Sequence, residues 1–218
     1  MNFQENCETM IEALTRIKIV PVLVLDEVKS GLKMCEILAE NGLPAAEITF
    51  RTVAAAEIIQ EAAKNFPQLY LGAGTILNLR DLDRAFDAGA KFAVAPGFNP
   101  TVVKAAVSTG RPFAPGVCTP SEVEQAMELD CRLLKFFPAE AAGGVKMLKS
   151  IIAPYRHLGI RFMPTGGVTT ANAAAYLALK EVAAVGGTWL GKADEIKAGN
   201  WSGITATVKA AAELKNNL

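Results

Sequence analysis

An apolar run followed by an alanine-rich helical stretch recurs eight times along the 218-residue sequence, which predicts an α/β chain folded as a single (β/α)8 barrel. Two further observations favour the barrel. No Gly/Ser linker or block of charge divides the chain, so residues 1–218 read as one domain. The rival is a doubly wound sheet, whose dinucleotide-binding form places Gly-x-Gly-x-x-Gly after the first strand. Leu25-Asp26-Glu27-Val28 stands there instead.

A short extra helix within Glu5–Arg16 precedes the first strand, Ile19–Leu25, whose near-continuous apolar run suits a parallel strand covered on both faces. Helix Val28–Asn41 stops at Asn41-Gly42, a left-handed end. Strand Ala45–Phe50 leads to helix Thr52–Asn65, and strand Leu69–Ala73 to helix Asn78–Ala88, which stops at Gly89. Strand Lys91–Ala95 precedes helix Pro100–Thr109. Strand Pro112–Val117 runs into Thr119-Pro120-Ser121-Glu122, a capping box with proline at the first helical position, which opens helix Pro120–Leu129. Strand Arg132–Phe137 ends at Pro138. Helix Val145–Ile152, strand Ile160–Pro164, helix Thr170–Leu179, strand Val182–Val185 and helix Gly203–Lys215 complete the series.

Composition excludes several functions. Hydrophobic residues make up 51% of the chain, enough for a sizeable core. Basic and acidic residues balance at 22 each, so no global field recruits nucleic acid or an anionic membrane. The first residues lack the basic and apolar regions of a secretion signal, and no apolar stretch is long enough to span a bilayer. A cytoplasmic protein is expected. Cys7, Cys35, Cys118 and Cys131 show no metal-binding or redox spacing and read as free thiols, with Cys118 nearest a site loop. The single histidine, His157, reads as a surface residue, and one histidine argues against a metal-dependent lyase.

Lys135 stands inside the apolar run Arg132-Leu133-Leu134-Lys135-Phe136-Phe137-Pro138. Lysine is rarely buried unless paired, and desolvation favours its neutral form. A neutral amine attacks carbonyl carbon, so Lys135 is a candidate Schiff-base nucleophile. The alternative is a strand-end lysine whose head reaches water.

Several strands run into glycine or proline. Gly72-Ala73-Gly74-Thr75, Ala95-Pro96-Gly97 and Ala114-Pro115-Gly116 read equally as turn chemistry or as a site. Thr165-Gly166-Gly167 and Gly186-Gly187-Thr188 follow the seventh and eighth expected strands, where barrels commonly bind phosphate through backbone N–H groups, with Thr188 adding a hydroxyl. In Ala45-Ala46-Glu47-Ile48-Thr49-Phe50-Arg51, a period of two puts Glu47, Thr49 and Arg51 on one face. Even-numbered strands share interior layers, so Glu47 is expected to meet Lys135, either as a structural ion pair or as an acid/base. An ionised Glu47 would hold Lys135 charged. A partly neutral Glu47, or one working through water, removes that conflict. Arg51 suits a carboxylate, with Thr75 as a second donor.

Glu47-Ile48-Thr49-Phe50-Arg51-Thr52, Gly72-Ala73-Gly74-Thr75, Pro96-Gly97, Lys135-Phe136-Phe137-Pro138-Ala139-Glu140 and Pro164-Thr165-Gly166-Gly167-Val168 together resemble one family. It comprises the class I aldolases of 2-keto-3-deoxy-6-phosphogluconate (KDPG) and 4-hydroxy-2-oxoglutarate (KHG). The likeness runs from Val20-Pro21-Val22 to the last helix. It implies Lys135 as Schiff-base former, Glu47 as general acid/base, and Arg51 and Thr75 as holders of the pyruvyl carboxylate. Pro96, Phe137, Thr165 and Gly186 line the substrate site in this reading, and phosphate is held near Gly166, Gly167, Gly187 and Thr188. The family often has serine where Thr188 stands. The resemblance also implies a small 2-keto-4-hydroxy acid substrate, no cofactor, no metal, and a cytoplasmic homotrimer. Two other readings remain open at this point: a phosphosugar isomerase or epimerase, and a non-catalytic phosphosugar-binding barrel in which Lys135 is only a charge partner.

Overall fold

The computed structural model of the chain describes residues 2–217. Its elements are α1 (Phe3–Ile17), β1 (Ile19–Leu23), α2 (Val28–Glu40), β2 (Ala45–Thr49), α3 (Ala55–Asn65), β3 (Tyr70–Gly74) and α4 (Leu79–Asp87). Then come β4 (Phe92–Val94), α5 (Pro100–Ser108), β5 (Phe113–Ala114), β6 (Gly116–Val117), α6 (Pro120–Glu128) and β7 (Leu133–Phe136). The remainder is α7 (Gly144–Tyr155), β8 (Arg161–Phe162), α8 (Thr170–Leu177), β9 (Val185–Gly187), α9 (Ala193–Lys197) and α10 (Trp201–Asn216).

The fold is α/β with a curled, wholly parallel sheet in two segments, ordered β5-β4-β3-β2-β1-β9 and β6-β7-β8. The strands are buried on both faces because helices cover the outside while side chains fill the inside. Proline explains where the ladder is interrupted, since it has no N–H to donate. Pro115 splits the expected fifth strand: Ala114 pairs with Val94 in β4, whereas Gly116 pairs with Lys135 in β7. The expected sixth strand, which carries Lys135, is therefore the seventh segment, β7. At the other seam, near Pro164, only the parallel bridges Phe162↔Val182 and Thr165↔Gly186 join β8 to the chain around β9.

The leading helix is longer than the short one expected. Asn2 and Glu5 form a capping box that starts it, and Phe3, Cys7, Met10, Leu14 and Ile17 make a buried stripe along one face. The last strand is displaced from the expected Val182–Val185 to Val185–Gly187, because β1 pairs with it through both glycines. Glycine is a poor strand former, so its pairing carried no sequence signal. The five-residue α9 was likewise not anticipated. Gly42 and Gly89 take positive φ at helix ends, as expected. Among the described residues no helix is long and apolar enough to cross a membrane.

Inside, Gly72 on β3 leaves space for the Phe92 ring of β4, since an added Cβ would sit 2.2 Å from it. Cys7, Cys35 and Cys131 are buried free thiols, and Cys118 is half-buried. Burial pushes the Cys7 thiol from the ordinary 9.0 up to about 11, and those of Cys35 and Cys131 up to about 12. In the unfolded chain they ionise near 9.0, so their stabilising contribution is whole below that pH. It is lost as pH rises toward about 11 to 12. Urea unfolding at a series of pH values should show stability declining over that window, with a shallower decline in Cys35→Ala. Equal slopes for the two proteins would remove this account.

Candidate active site

Four polar or charged residues are buried among those described, Glu47, Thr49, Lys135 and Thr165, and all four line one cavity of about 240 Å³. Roomier depressions of about 530 and 610 Å³ lie elsewhere on the surface and contain none of them. Buried polar groups are costly, so their convergence marks this cavity as the site.

Lys135 projects from β7 and Glu47 from β2, as the alternation of each strand requires. Lys135 Nζ donates to Glu47 Oε1 at 2.8 Å and Oε2 at 3.1 Å. Their side chains are 6% and 1% exposed, so the ammonium and carboxylate face each other out of bulk water. Gly74, the neighbour of Thr49 across the β2–β3 ladder, makes room for the carboxylate. A Cβ there would stand 2.1 Å from Glu47 Oε1.

The other expected residues are arranged around this pair. Arg51 follows β2 at the exposed rim, and among the described residues no salt bridge engages its guanidinium. Thr75 follows β3 at φ 60°, a left-handed conformation that is uncommon and strained for a residue with a Cβ. Pro96 enters from the connection after β4, where its backbone passes so close to Gly116 that a Cβ there would lie 2.2 Å from the Pro96 carbonyl. Phe137 follows Lys135's strand, and its ring lies against Gly166. Thr165, Gly166, Gly167 and Thr188 complete the lining.

Two expected residues do not line the cavity. The N–H of Gly186 donates to the Pro164 carbonyl at 2.9 Å and is not free for an anion. Gly187 lies under the Trp189 ring, which a Cβ would meet at 1.6 Å. This second diglycine allows close packing and carries no positive φ. Conversely, Val22 and Thr49 line the cavity without having been singled out as site residues. Thr49 was on the correct face by periodicity, and its hydroxyl donates to the Leu23 carbonyl at 2.9 Å. Val22 is an apolar residue in an apolar strand. Only its pairing with Glu47 in the β1–β2 ladder brings it to the site.

Residues 10–207 match the family described as KDPG and KHG aldolase. The chain belongs to that family. The 2-dehydro-3-deoxy-phosphogluconate aldolase of Haemophilus influenzae is 43% identical over 202 residues, covering 93% of this chain and 94% of that one. The KHG/KDPG aldolase of Escherichia coli K12 is 40% identical, covering 96% and 98%. Among solved structures, the Legionella pneumophila KDPG aldolase with pyruvate captured as a covalent carbinolamine superposes with a TM-score of 0.87. It is 35% identical and covers 93% of this chain and 98% of that one.

A buried pair costs most when one member is left behind. Truncating one partner of such a pair typically costs about 3–5 kcal/mol, whereas replacing both with apolar groups can be neutral. Lys135→Met and Glu47→Met should each lower the urea midpoint by that order, and the double variant should recover most of the loss. Additive losses would mean that the two groups are not coupled in solution.

Proposed function

We propose that this protein is a class I aldolase that cleaves KDPG to pyruvate and glyceraldehyde 3-phosphate, with KHG as a second substrate yielding pyruvate and glyoxylate. The observation that carries the reading is the buried Lys135–Glu47 contact on the wall of a cavity that also holds Arg51 and the Thr165-Gly166-Gly167 loop.

In this reading the pair solves its own charge conflict. Transfer of the Lys135 proton to Glu47 replaces two buried charges with two neutral groups and leaves an amine beside an acid. The amine attacks C2 of the substrate. Glu47 returns its proton to the carbinolamine hydroxyl, which leaves as water, and an iminium remains on Lys135. That cation draws the electrons of the C3–C4 bond as the Glu47 carboxylate, directly or through a water, takes the C4 hydroxyl proton. The aldehyde departs and an enamine of pyruvate stays on Lys135. Protonation at C3 and hydrolysis of the iminium then release pyruvate and restore the amine. Positioned proton transfer contributes roughly 10²–10⁴-fold.

Arg51 and Thr75 hold the substrate carboxylate, and Pro96 and Phe137 flank the carbon chain. The phosphate binds at Gly166, Gly167 and Thr188. Support for that end comes from the N–H groups of Gly166, Gly167 and Val168, none of which donates a backbone hydrogen bond among the described residues. KHG retains the carboxylate, the 2-keto group and the 4-hydroxyl, so it needs only the Lys135 half of the site. No metal is required, because the iminium is the electron sink.

The two sheet segments close in this proposal into one (β/α)8 domain over residues 1–218, supported by the bridges at Phe162 and Thr165 and the shared turn at Pro115. A cytoplasmic homotrimer follows from the family resemblance. Val53, Leu77 and Leu79, exposed on or beside the connections after β2 and β3, are apolar surface that an assembly would cover.

Borohydride with pyruvate should trap an adduct on the intact protein and none on Lys135→Met, with cleavage unchanged in EDTA. Glu47→Gln should still be trapped while cleavage and proton exchange at the pyruvate methyl fall by orders of magnitude. Turnover by Lys135→Met, or loss of activity in EDTA that zinc restores, would remove the Schiff-base reading. A phosphosugar isomerase or a binding protein would form no adduct at all.

The phosphate end has its own test. KDPG should be cleaved about a hundredfold better than 2-keto-3-deoxygluconate, corresponding to roughly 3 kcal/mol of remote binding. Gly167→Ala should erase most of that preference, because Gly167 lies at φ +79° and a Cβ would press on Glu140 at 2.6 Å. If wild type cleaves both substrates equally, the phosphate assignment fails and KHG becomes the leading substrate.

A further inference from the structure

The carbonyl groups of the Thr165-Gly166-Gly167 loop are all engaged by the protein. Ala139 N–H donates to Thr165 C=O at 2.8 Å and Glu140 N–H donates to Gly166 C=O at 3.0 Å. The Asn172 side-chain amide donates to Gly167 C=O at 3.2 Å. In a trans peptide the N–H points opposite to the preceding C=O. Anchoring these three carbonyls therefore turns the N–H groups of Gly166, Gly167 and Val168 to the other side, where none donates a backbone hydrogen bond among the described residues.

The anchor is itself braced. Glu140 is exposed, but its side chain lies against Gly167, so close that a Cβ on Gly167 would be 2.6 Å from Glu140 Cβ. Its carboxylate accepts a hydrogen bond from the hydroxyl of Tyr176, a fully buried side chain on α8. Because α8 begins at Thr170, the brace runs from the segment after Lys135's strand, against Gly167, to the helix the glycine loop opens. Burial and the Glu140 carboxylate raise the Tyr176 pKa, so the hydroxyl remains a donor at neutral pH.

We propose that Glu140 and Tyr176 are positioning residues for the phosphate subsite, holding the glycine loop so that its N–H row faces the ligand. They touch neither the substrate nor Lys135. Their removal therefore weakens recognition of the phosphate and leaves the chemistry at C2 alone. This rests on the reading that the loop binds phosphate, and wild type must first show a preference for KDPG over 2-keto-3-deoxygluconate.

The test compares Tyr176→Phe, Glu140→Ala and Glu140→Gln with wild type on both substrates, with melting temperature as the folding control. In Tyr176→Phe and Glu140→Ala, KM for KDPG and the inhibition constant of inorganic phosphate should rise about tenfold, the scale of one lost hydrogen bond. The kcat on KDPG should stay within about twofold, since remote orientation is loosened and not lost. Cleavage of 2-keto-3-deoxygluconate and borohydride trapping with pyruvate should be unchanged. Glu140→Gln keeps an acceptor for Tyr176 and should retain the wild-type preference. Wild type without any preference would sink the phosphate reading and this inference with it. A wild-type preference that survives intact in Tyr176→Phe and Glu140→Ala would overturn the inference alone. So would equal losses on both substrates, or a Glu140→Gln as impaired as Glu140→Ala.

Discussion

The buried contact between Lys135 and Glu47 is the constraint around which the interior is arranged. Neither group tolerates burial without the other, because desolvation penalises each charge and their attraction only offsets it at close range. The distance depends on two strands far apart in sequence presenting the correct faces. A slip of one residue in either β2 or β7 would turn its charged group outward into the apolar packing between sheet and helices. Gly74 shows how tight the fit is, since even one methyl group there would occupy the space of a carboxylate oxygen. The same contact keeps both groups out of bulk water, side by side at 2.8 Å.

Close backbone approach is the second organising device. A Cβ on Gly116 would strike the Pro96 backbone, and one on Gly186 would strike Thr165 Oγ1 at 2.4 Å. These glycines bring neighbouring strands and connections together at the mouth, where Pro96 and Thr165 line the cavity. Proline works in the opposite sense. Pro115 and Pro164 interrupt the ladders on either side of β7 and β8, so the segment that presents Lys135 is paired on both flanks by short ladders. The strand carrying the amine is held on both flanks by backbone bonds, Lys135 and Phe137 N–H donating to Pro115 and Val117 C=O, and Met163 and Thr165 N–H donating to Leu134 and Phe136 C=O.

How much could be read in advance depends on whether a residue breaks a pattern. Lys135 and Glu47 interrupt apolar runs, and charge inside such a run needs an explanation, so both could be found without coordinates. Arg51 followed from the same period-two alternation as Glu47. Val22 breaks nothing, and Gly74 could have served equally well in a turn. Their roles appear only once the register sets Val22 opposite Glu47 and Thr49 opposite Gly74. The two diglycines show the limit most clearly. Gly166 and Gly167 are needed for positive φ, whereas Gly187 lies in extended backbone at φ −156° and is needed for space beside Trp189. Sequence records the residue but not which of its two properties is in use. The strand alternation was legible for a related reason: apolar runs bounded by glycine and proline survive every local detail. The length of α1 was not, because its capping box at Asn2 lies outside the stretch whose helical character was evident.

The ends of the cavity differ in how firmly they are held, and on the proposed mechanism that difference has a use. The wall formed by Thr165, Gly166 and Gly167 has its carbonyls tied to Ala139, Glu140 and Asn172. At the other end Arg51 is exposed and free of salt bridges among the described residues, beside Thr75 in a strained conformation. A substrate fixed first at the rigid end loses most of its freedom there, and the remaining adjustment falls to the exposed guanidinium of Arg51. The small pyruvyl half can then shift as C2 passes from planar ketone to tetrahedral carbinolamine and back to planar iminium. A site rigid at both ends would resist those changes of shape. One loose at both ends would lose the orientation that makes remote binding useful.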